Sequence, residues 1–529
     1  MALHRRTFIK QLGLGAAGLN LTSSLSIPFF AEDTDHLLKR ATPESMGVSS
    51  SGILDFLHAI AESKHEFHGF VMVRYGAIIA EGWWRPYRPA ARHMLYSMSK
   101  SFTSSAVGFA VSEGLLKTDA KVVSFFPDNL PPKVSDKLAA LSVKNLLTMS
   151  VGHAKDSTPI ITKEENWVRI FLSLPIDHDP GTVFLYNSGA TYMLSAIVQK
   201  VSGMRVKDYL TPRLFEPLKI ENLSWETCPL GINTGGWGLS VQTDSLAKFG
   251  QLYLQKGMWK GKQLLPQAWV EEATTFKIQQ PATGGKSFDE LKQTSDWHQG
   301  YCYQFWRCRH NGFRGDGAYG QYTIVLPEED AVIAINSETS DMQGILNLVW
   351  DNLLPAMKSA PLPSDSHAHA QLKKTLASLE LPPTTAQYSA TSGKIDGKTF
   401  QIDSNANGFR TARFHFTKDT CVFSLADLER EYLIRCRTDR WVDGETDLPG
   451  TPPKITVGDL RPVKIAARGT WQDENTWVMI WRYYETPHHD TVTCRFDGNN
   501  VKIEFLNSIT QLSSSHPETR PALSGRAAA

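Results

Sequence analysis

The fold is decided by one stretch of the chain, Tyr96-Ser97-Met98-Ser99-Lys100-Ser101-Phe102-Thr103, in which Ser97 and Lys100 have Ser-x-x-Lys spacing. Positions i and i+3 of a helix lie on one face, so the Lys100 amine can reach back to the Ser97 hydroxyl. A serine becomes a good nucleophile when a neighbour takes its proton, and a desolvated lysine can act as that base. The spacing predicts acyl transfer through a covalent serine intermediate. It recurs at Ser245 and Lys248, so the surroundings must distinguish a nucleophile from a surface lysine near a helix start.

The segments on either side of Ser97 indicate how it is held. Before it, the apolar runs 70–73 and 77–80 flank the turn residues Tyr75-Gly76, a pattern typical of a β-hairpin. After it, apolar residues recur near a 3.6-residue period as far as Gly114, which predicts a buried helix. A serine at the start of such a helix is held rigidly, and its backbone N–H lies where an acyl oxygen can be bound.

Two further segments carry groups suited to the same chemistry. Tyr186 stands on a loop that enters a predicted amphipathic helix, Ala190 to Val201. A nearby lysine favours its phenolate, so Tyr186 could relay a proton between Ser97 and the leaving group. The stretch Gly315-Asp316-Gly317-Ala318-Tyr319-Gly320-Gln321 leads into a predicted hairpin, where glycines permit close approach by a ligand and a backbone N–H could complete an oxyanion hole. The alternatives are a core tyrosine and a bulge at a sheet edge.

Composition limits the class of protein. The 529 residues exceed one ordinary core, so two domains plus termini are expected. With 41% hydrophobic and 21% charged residues the composition is that of a soluble globular protein, and a net charge of +1 argues against nucleic acid as a partner. A small-molecule substrate is the expected partner.

The N-terminus predicts export. A twin-arginine signal is resembled by the segment His4-Arg5-Arg6-Thr7-Phe8-Ile9-Lys10 and the moderately apolar run that follows it to Ala31. Residues 1–31 are therefore expected to be an export signal and not part of the fold. This predicts the twin-arginine translocase as a partner, a periplasmic protein, and no stable membrane span in the mature form. An uncleaved signal acting as an anchor is the alternative, since Phe29 interrupts the usual small-residue cleavage site.

Changes of pattern along the chain suggest its domains. Helical and strand patterns alternate over residues 42–358, and residues 359–375 read as a linker. From 376 to 512, short β-rich runs alternate with turn residues, which predicts a separate antiparallel β domain, barrel-like in form. Residues 513–529 are expected to be a disordered tail.

The order of the motifs resembles the class C β-lactamase-type serine hydrolases, which include penicillin-recognising enzymes, related esterases and 6-aminohexanoate-dimer hydrolase. The segments Leu146–His153, Gly235–Leu239 and Asp244–Gly250 also resemble that family, and the last of them assigns Ser245 and Lys248 to structure. The resemblance covers about residues 42–358. The C-terminal region resembles lipocalin-like barrels attached to such enzymes.

This resemblance implies a fold, a site and a mechanism. The fold is α+β, with an antiparallel sheet flanked by helices, a helical insertion between the first two motifs, and the site in the cleft between these parts, with no metal or organic cofactor. Ser97 is the acylated nucleophile, and Lys100 and Tyr186 form the proton-handling pair. Ala318 joins Ser97 as an oxyanion donor, and the substrate-binding positions are Ser188, Gly317 and Asp316.

Two departures from the family pattern bear on the substrate. β-Lactamases and penicillin-binding relatives carry Lys-Thr-Gly or Lys-Ser-Gly where this chain has Gly315-Asp316-Gly317, and asparagine where it has Ser188; His310-Asn311-Gly312 is a second possible alignment. An acidic Asp316 should repel a substrate carboxylate unless it points away. These departures favour an esterase, or an amidase of the 6-aminohexanoate-dimer type, over a β-lactamase or D-alanyl-D-alanine peptidase. A periplasmic binding protein that keeps the fold without turnover is the alternative from another class.

Cysteine and histidine spacings do not indicate a metal centre. Six scattered cysteines lack a zinc spacing and are expected to be mostly free and buried; the possible pairs are Cys302 with Cys308 and Cys421 with Cys436. His65 with His68, His367 with His369, and the pair His488-His489 are expected to be solvated or structural, not metal ligands.

Overall fold

The two predicted hairpins lie side by side in one sheet of the computed structural model. The structure describes residues 38–382, 385, 387–452, 462–513 and 516–527, so the predicted export signal, 1–31, lies outside the described residues. In chain order the first strands are β1 (Lys39–Arg40), β2 (Glu66–Arg74), β3 (Ala77–Trp83), β4 (His93–Met94), β5 (Ser224–Trp225), β6 (Leu239–Val241), β7 (Met258–Trp259), β8 (Lys262–Gln263), β9 (Trp306–Arg307), β10 (Phe313–Gly317), β11 (Gln321–Leu326) and β12 (Ala331–Glu338).

The main sheet has the strand order β1-β3-β2-β12-β11-β10-β9, and only the short pair β1–β3 is parallel among its described strands. Its central strands β2, β11 and β12 are almost entirely buried. The Tyr75-Gly76 turn has positive φ at both residues, the backbone that joins two twisted strands in a tight hairpin. The hairpins predicted from continuous apolar runs around turn residues are confirmed.

Helices cover both faces of this sheet. The α-helices of the described chain are, in order, α1 (Ser50–Glu62), α2 (Ser99–Ser112), α3 (Asp136–Ala140), α4 (Val143–Leu147), α5 (Thr158–Ile161), α6 (Trp167–Ser173), α7 (Ser188–Ser202), α8 (Val206–Leu210), α9 (Thr243–Leu254), α10 (Gln267–Thr274), α11 (Phe288–Thr294), α12 (Met342–Leu348), α13 (Leu354–Ala356), α14 (Ser366–Ser378), α15 (Thr391–Ile395) and α16 (Ser508–Leu512). The last two, α15 and α16, pack on strands of the C-terminal region. α1 buries Ile53, Phe56, Leu57 and Ile60 against the sheet, the spacing of one helical face. α9 packs against β2, β11 and β12.

The chain between Ser97 and Tyr186 is helical in the structure, as expected: α2 to α6 and short 3-10 turns occupy it. α2 is buried from Ser99 to Ala110, so it is an interior helix and its serine and threonine hydroxyls bond to nearby carbonyl groups. α7 ends at Gly203, whose φ is +73°, the left-handed C-cap conformation. The predicted α+β fold is confirmed.

The C-terminal strands form a closed barrel. They are β13 (Thr399–Ile402), β14 (Thr411–Phe416), β15 (Thr420–Ala426), β16 (Glu431–Arg437), β17 (Val442–Thr446), β18 (Val463–Trp471), β19 (Thr476–Arg482), β20 (His489–Asp497), β21 (Asn500–Asn507) and β22 (Leu523–Ala527). Among described residues they pair in the order β16-β15-β14-β13-β22-β21-β20-β19-β18-β17, and a further β16–β18 pairing closes the ring. Strand edges that would otherwise be open are thereby paired.

Large side chains fill the barrel. Its core includes Phe414, Trp471, Trp477, Trp481 and Phe496, whose rings contact one another or neighbouring aromatic rings. The buried positions alternate with exposed ones along β16 and β20, the two-residue period of a strand with one face in a core. All six cysteines lie in the described part of the chain and are free and buried; Cys421 and Cys436 are cross-strand neighbours.

Two segments differ from the sequence-based expectations. Part of the predicted linker 359–375 is the start of α14, whose Leu372 is buried in the core of the main sheet. The predicted disordered tail 513–529 contains β22, which pairs with β13 on one side and β21 on the other. Both expectations were wrong because polar residues surround a few apolar ones that become buried only against distant parts of the chain.

The barrel and the main sheet share an extensive boundary within one compact unit, residues 38–529. Arg88 donates to both carboxylate oxygens of Asp443 at 2.7 Å, and the backbone N–H of Met94 donates to the carbonyl of Glu485 at 2.9 Å. The core of the main sheet also includes Tyr484 from the loop after β19. In the described part of the chain, none of the helices has the length and apolar character needed to cross a membrane.

The structural role of β22 gives a first prediction. We expect Leu523→Ala to lower the free energy of unfolding by about 2–5 kcal/mol, because its side chain is buried in the barrel core. Ser524→Ala is the matched control, since the adjacent side chain points to solvent, and should change stability by no more than about 0.5 kcal/mol. Chemical denaturation followed by tryptophan fluorescence measures both. Equal effects of the two substitutions would contradict the strand assignment.

A second prediction concerns Gly317 at the end of β10. A Cβ built on Gly317 would lie 2.0 Å from the carbonyl oxygen of Leu95, a backbone atom just before Ser97. We expect Gly317→Ala to destabilise the protein by at least about 2 kcal/mol, because the strand or the facing turn must move. Gly393→Ala is the control: it lies in α15 with nothing within 4 Å of the added carbon, and should be neutral or slightly stabilising. Denaturation midpoints compare the two, and a tolerated Gly317→Ala would count against this packing.

Candidate active site

Ser97 lies in a single turn of 3-10 helix, Tyr96–Met98, that leads directly into α2. Tyr96 has a φ of +50°, a left-handed conformation that a bulky residue seldom adopts. Gly315 and Gly317 of β10 allow this turn to approach closely, since a Cβ on either would collide with Met98 or Leu95. The expectation that these glycines admit a ligand was therefore incomplete: the nearest atoms belong to the turn that carries Ser97. Ser97 itself remains partly exposed.

The buried Lys100 amine forms hydrogen bonds to three oxygen atoms. Its Nζ donates to Oγ of Ser97 at 2.9 Å, to Oγ of Ser188 at 2.9 Å and to the carbonyl oxygen of Gly236 at 2.8 Å. Burial lowers the pKa of Lys100 to about 7, although the charges of Asp156 and Asp316 oppose the shift. At neutral pH a substantial fraction of this amine is therefore uncharged and able to accept a proton.

Tyr186 completes the group around Ser97. Its hydroxyl hydrogen-bonds to Ser97, and the Lys100 amine lies over its ring, 4.7 Å from the centroid. Burial, together with the charge of Asp316, raises the pKa of Tyr186 well above its usual value, and the hydrogen bond between Ser97 and Tyr186 opposes this shift. The sequence suggested a phenolate favoured by Lys100, but burial and the charges of Asp316 and Asp156 disfavour the phenolate of Tyr186. Tyr186 is a neutral phenol that can donate a proton, and Lys100 is the group with a basic lone pair near pH 7.

Ser188 contacts the amine from the first turn of α7. Asn187 caps that helix, its side-chain oxygen accepting from the backbone N–H of Gly189 at 3.0 Å and from the Ser157 hydroxyl at 2.7 Å. Gly236 lies against Ser188, since a Cβ on Gly236 would be 2.8 Å from the Ser188 carbonyl oxygen. The Gly236 carbonyl was not predicted as a partner of Lys100; only its resemblance to a family loop marked the segment.

Asp316 is paired within the protein. The Arg314 guanidinium lies 2.9 Å from its carboxylate, and the two side chains are 0% and 6% exposed. Burial raises the pKa of Asp316, although Arg314 opposes the shift. The sequence predicted that Asp316 would repel a substrate carboxylate. In the structure the negative charge of Asp316 is balanced by Arg314, and the same ion pair occupies the Arg314 guanidinium.

Ala318 follows β10 in a turn that is fixed from two sides. Its carbonyl accepts from the side-chain amide of Gln321 at 3.2 Å, and the next residue, Tyr319, has a φ of +65°. Gly317, one residue earlier, is the position in contact with the backbone before Ser97. Ala318 thus follows by one residue the position that contacts the backbone before Ser97, and its role as an oxyanion donor stays a prediction.

An aromatic wall adjoins Tyr186 and was not predicted. Trp306 stacks on Tyr186 with centroids 5.6 Å apart, and Tyr301 packs edge-on against Trp306 at 4.7 Å. Phe184 and Trp297 contact the same indole. Trp297, Tyr301 and Trp306 lie between α11 and β10, outside every motif, so only the three-dimensional contacts identify them. Tyr301 and Trp306 are buried, whereas Phe184, Tyr186 and Trp297 are partly exposed.

Among the described residues, side chains of the types that bind metal ions lie close together at one place, formed by Glu66, Glu338 and His489. Arg482 lies among them: it hydrogen-bonds both carboxylate oxygens of Glu66, and its guanidinium is 3.1 Å from Nδ1 of His489. The arginine thus supplies the positive charge of this cluster. His488, expected to be solvated or structural, is fully buried and contacts Tyr96.

Comparison with known proteins adds the family. A model of the family described as Beta-lactamase matches residues 63–351, more than half of the chain. The 6-aminohexanoate-dimer hydrolase of Paenarthrobacter ureafaciens is 26% identical over 292 residues, 51% of this chain and 72% of that protein. A beta-lactamase of Escherichia coli K12 is 24% identical over 153 residues, 27% of this chain and 37% of that protein.

Among solved structures, an octameric penicillin-binding protein homologue from Pyrococcus abyssi is similar over 90% of this chain and 99% of its own, with 16% identity and a TM-score of 0.46. The family match includes Ser97, Lys100, Tyr186 and the strand ending at Gly317. The chain therefore belongs to the beta-lactamase family and is a serine hydrolase related to the β-lactamases.

Proposed function

We propose that this protein is an exported hydrolase that cleaves an ester or amide of a small molecule through an acyl intermediate on Ser97. The observation that carries the proposal is the 2.9 Å contact between Ser97 Oγ and a buried Lys100 amine with a pKa of about 7. A base titrating near the working pH is suited to remove and return a proton.

The three contacts of Lys100 suggest how the nucleophile is activated. In the neutral amine two N–H groups donate to Ser188 and the Gly236 carbonyl, and the lone pair faces the Ser97 hydroxyl. The Ser97 proton passes to this amine as Oγ bonds to the substrate carbonyl carbon, and the carbonyl oxygen takes the negative charge. The backbone N–H groups of Ser97 and Ala318 are the proposed donors to that oxygen.

Tyr186 is the proposed acid for the leaving group. When the tetrahedral intermediate collapses, the C–O or C–N bond of the leaving group breaks and the Tyr186 hydroxyl supplies its proton, which the Lys100 ammonium then replaces. Water attacks the acyl ester of Ser97 in the second half of the reaction, giving the free acid and the Ser97 hydroxyl. The high pKa of Tyr186 keeps its hydroxyl protonated, so the proton is in place when the bond to the leaving group breaks.

The expected substrate is a small molecule that is neutral near the scissile bond. Arg314 is buried and paired with Asp316, so it is not available to a substrate carboxylate. The partly exposed rings of the aromatic wall, Phe184 and Tyr186 among them, would suit an apolar acyl or leaving group. The relative named 6-aminohexanoate-dimer hydrolase supports an amide as one candidate. These features favour an esterase or amidase over a β-lactamase or D-alanyl-D-alanine peptidase.

The export proposal rests on residues 1–31, which resemble a twin-arginine signal. By this proposal the twin-arginine translocase carries the folded protein to the periplasm. The binding-protein alternative predicts catalytic side chains that stay apart or a closed site; Ser97, Lys100 and Tyr186 converge, and Ser97, Tyr186 and Ser188 are partly exposed.

The nucleophile can be tested by labelling. Intact-protein mass spectrometry after a fluorophosphonate probe should show one adduct on the wild type and none on Ser97→Ala. Ser245→Ala is the matched control, because Ser245 has the same Ser-x-x-Lys spacing while its Lys248 pairs with Asp244 at 2.8 Å; it should label like the wild type. Absence of an adduct on the wild type would refute an activated Ser97. p-Nitrophenyl esters, penicillins and linear amide dimers then rank the substrates, and preferential turnover of penicillins would favour the β-lactamase alternative.

The low pKa of Lys100 predicts a pH profile. Only the neutral amine accepts a proton, so kcat/KM for a p-nitrophenyl ester should be low well below pH 7 and rise through an apparent pKa of about 7. Asp156→Asn should move this rise to lower pH, because it removes a charge that raises the pKa of Lys100. The asparagine carbonyl can still accept from Thr158, as Asp156 does at 2.7 Å.

Asp497→Asn, an exposed barrel substitution, is the control for this profile and should leave it unchanged. A wild-type profile that is flat between pH 5 and pH 9 would contradict the assignment of Lys100 as the base. A shift toward higher pH in Asp156→Asn would contradict the electrostatic account.

A further inference from the structure

The loop between β19 and β20 brings a barrel residue to the nucleophile turn. His488 ends this loop and its side chain is fully buried. Its Nε2 lies 2.5 Å from the Tyr96 hydroxyl, and its Nδ1 lies 2.6 Å from Oε1 of Glu338, the last residue of β12. A hydrogen-bonded chain thus runs from β12 through the barrel histidine to the residue next to Ser97.

The direction of these hydrogen bonds follows from the charge of Glu338. Burial opposes ionisation of Glu338, but hydrogen bonds from His488 and His489 hold its pKa well below the usual value, so it is a carboxylate that only accepts. Nδ1 of His488 therefore carries a hydrogen and donates to Glu338. In the neutral imidazole this leaves Nε2 as the acceptor for the Tyr96 hydroxyl. Burial raises the pKa of Tyr96, which keeps its hydroxyl protonated as that donor.

His488 also packs against the turn that carries the second proposed oxyanion donor. The rings of Tyr319 and His488 are perpendicular with centroids 4.7 Å apart, and the Tyr96 and Tyr319 rings are 5.3 Å apart. The backbone of this turn is held by β12, since the Ser337 hydroxyl donates to the carbonyls of Tyr319 and Gly320 at 3.0 and 2.8 Å.

The two tyrosines share an unusual backbone. Tyr96 precedes Ser97 with a φ of +50°, and Tyr319 follows Ala318 with a φ of +65°. A non-glycine residue stays in this region only when its surroundings hold it there. The side chains of Tyr96 and Tyr319 both contact the imidazole of His488. One barrel residue therefore contacts a neighbour of Ser97 and a neighbour of Ala318, the two residues whose N–H groups we assign to the oxyanion.

We propose that His488 is a positioning residue of the active site, which holds Tyr96 and Tyr319 so that the N–H groups of Ser97 and Ala318 converge on the substrate oxygen. This inference rests on the proposed function of Ser97. It makes the barrel a contributor to catalysis, because without this loop the hydrolase region would lack the group that links its two oxyanion donors. The competing interpretation is that His488 only joins the barrel to the main sheet through Glu338.

Two substitutions at the same position separate these interpretations. His488→Asn places an amide near the former Nδ1, so it can still reach Glu338 but not Tyr96. His488→Gln places an amide near the former Nε2, so it can reach Tyr96. We expect His488→Asn to lower kcat for a p-nitrophenyl ester by about tenfold to a hundredfold with little change in KM, since the loss falls on the transition state, and His488→Gln to restore much of that loss.

Tyr96→Phe tests the same contact without altering the barrel. It should lower kcat to a similar extent, and the double variant with His488→Asn should lose no more than either single variant, because both remove one interaction. Asp443→Asn is the interface control: it weakens the Arg88 contact across the boundary but should leave kcat at the wild-type value. Thermal unfolding and the fraction of protein labelled by the fluorophosphonate probe are measured for every variant.

The outcomes are distinguishable. A lower kcat per labelled site with an unchanged labelled fraction supports the positioning role. A reduced labelled fraction or melting temperature with wild-type kcat per labelled site assigns His488 to structure alone and overturns the inference, as does a His488→Asn variant that behaves like the wild type. A wild-type protein that the probe does not label overturns the proposed function, and this inference with it.

Discussion

The site depends on the burial of one lysine amine. Removing the Lys100 ammonium from water is unfavourable, and three oxygen acceptors offset part of this cost. They come from three separate segments: Ser97 before α2, Ser188 at the start of α7, and the Gly236 carbonyl in a loop. The residual penalty on the charged form leaves the pKa of Lys100 at about 7. The amine is therefore both a structural centre that needs all three segments and a base that can lose its proton. Neither property would survive if the site were opened to water, because the pKa would return toward that of a free lysine.

Glycine residues make this convergence possible. Gly236 lies where a side chain would meet the Ser188 carbonyl, and Gly317 lies where one would meet the Leu95 carbonyl. In both places one backbone approaches another more closely than a Cβ allows, so the acceptors and the nucleophile turn are placed by main-chain contacts. Groups held by main chain lose little conformational entropy when a substrate binds, which suits a site that must present several polar atoms to one reacting carbonyl.

Local patterns were enough to predict the parts of the molecule in which neighbours in sequence determine the structure. The Ser97–Lys100 pair lies within one helical turn, and the hairpin around Tyr75-Gly76 depends on its own turn residues. The predictions failed where contacts between residues far apart in the chain determine the structure. β22 becomes a strand because β13 and β21 border it, and α14 because Leu372 finds the core of the main sheet. The protonation of Tyr186 depends on desolvation by the folded protein, and the contacts of Trp306 and His488 with the site join residues far apart in the chain.

Buried charged groups form part of the boundary between the barrel and the main sheet. They affect whether either part would be stable without the other. Glu66 of β2 is paired with Arg482 of β19, and Glu338 of β12 accepts from His488, His489 and the Ser508 hydroxyl. Each carboxylate comes from the main sheet and its partners come largely from the barrel. Separating the parts would leave charged groups buried without partners or force their faces to be rehydrated, a cost of several kcal/mol for each uncompensated charge. The change of sequence pattern near residue 376 therefore marks a change of architecture, while the energetics join the barrel to the region that carries Ser97.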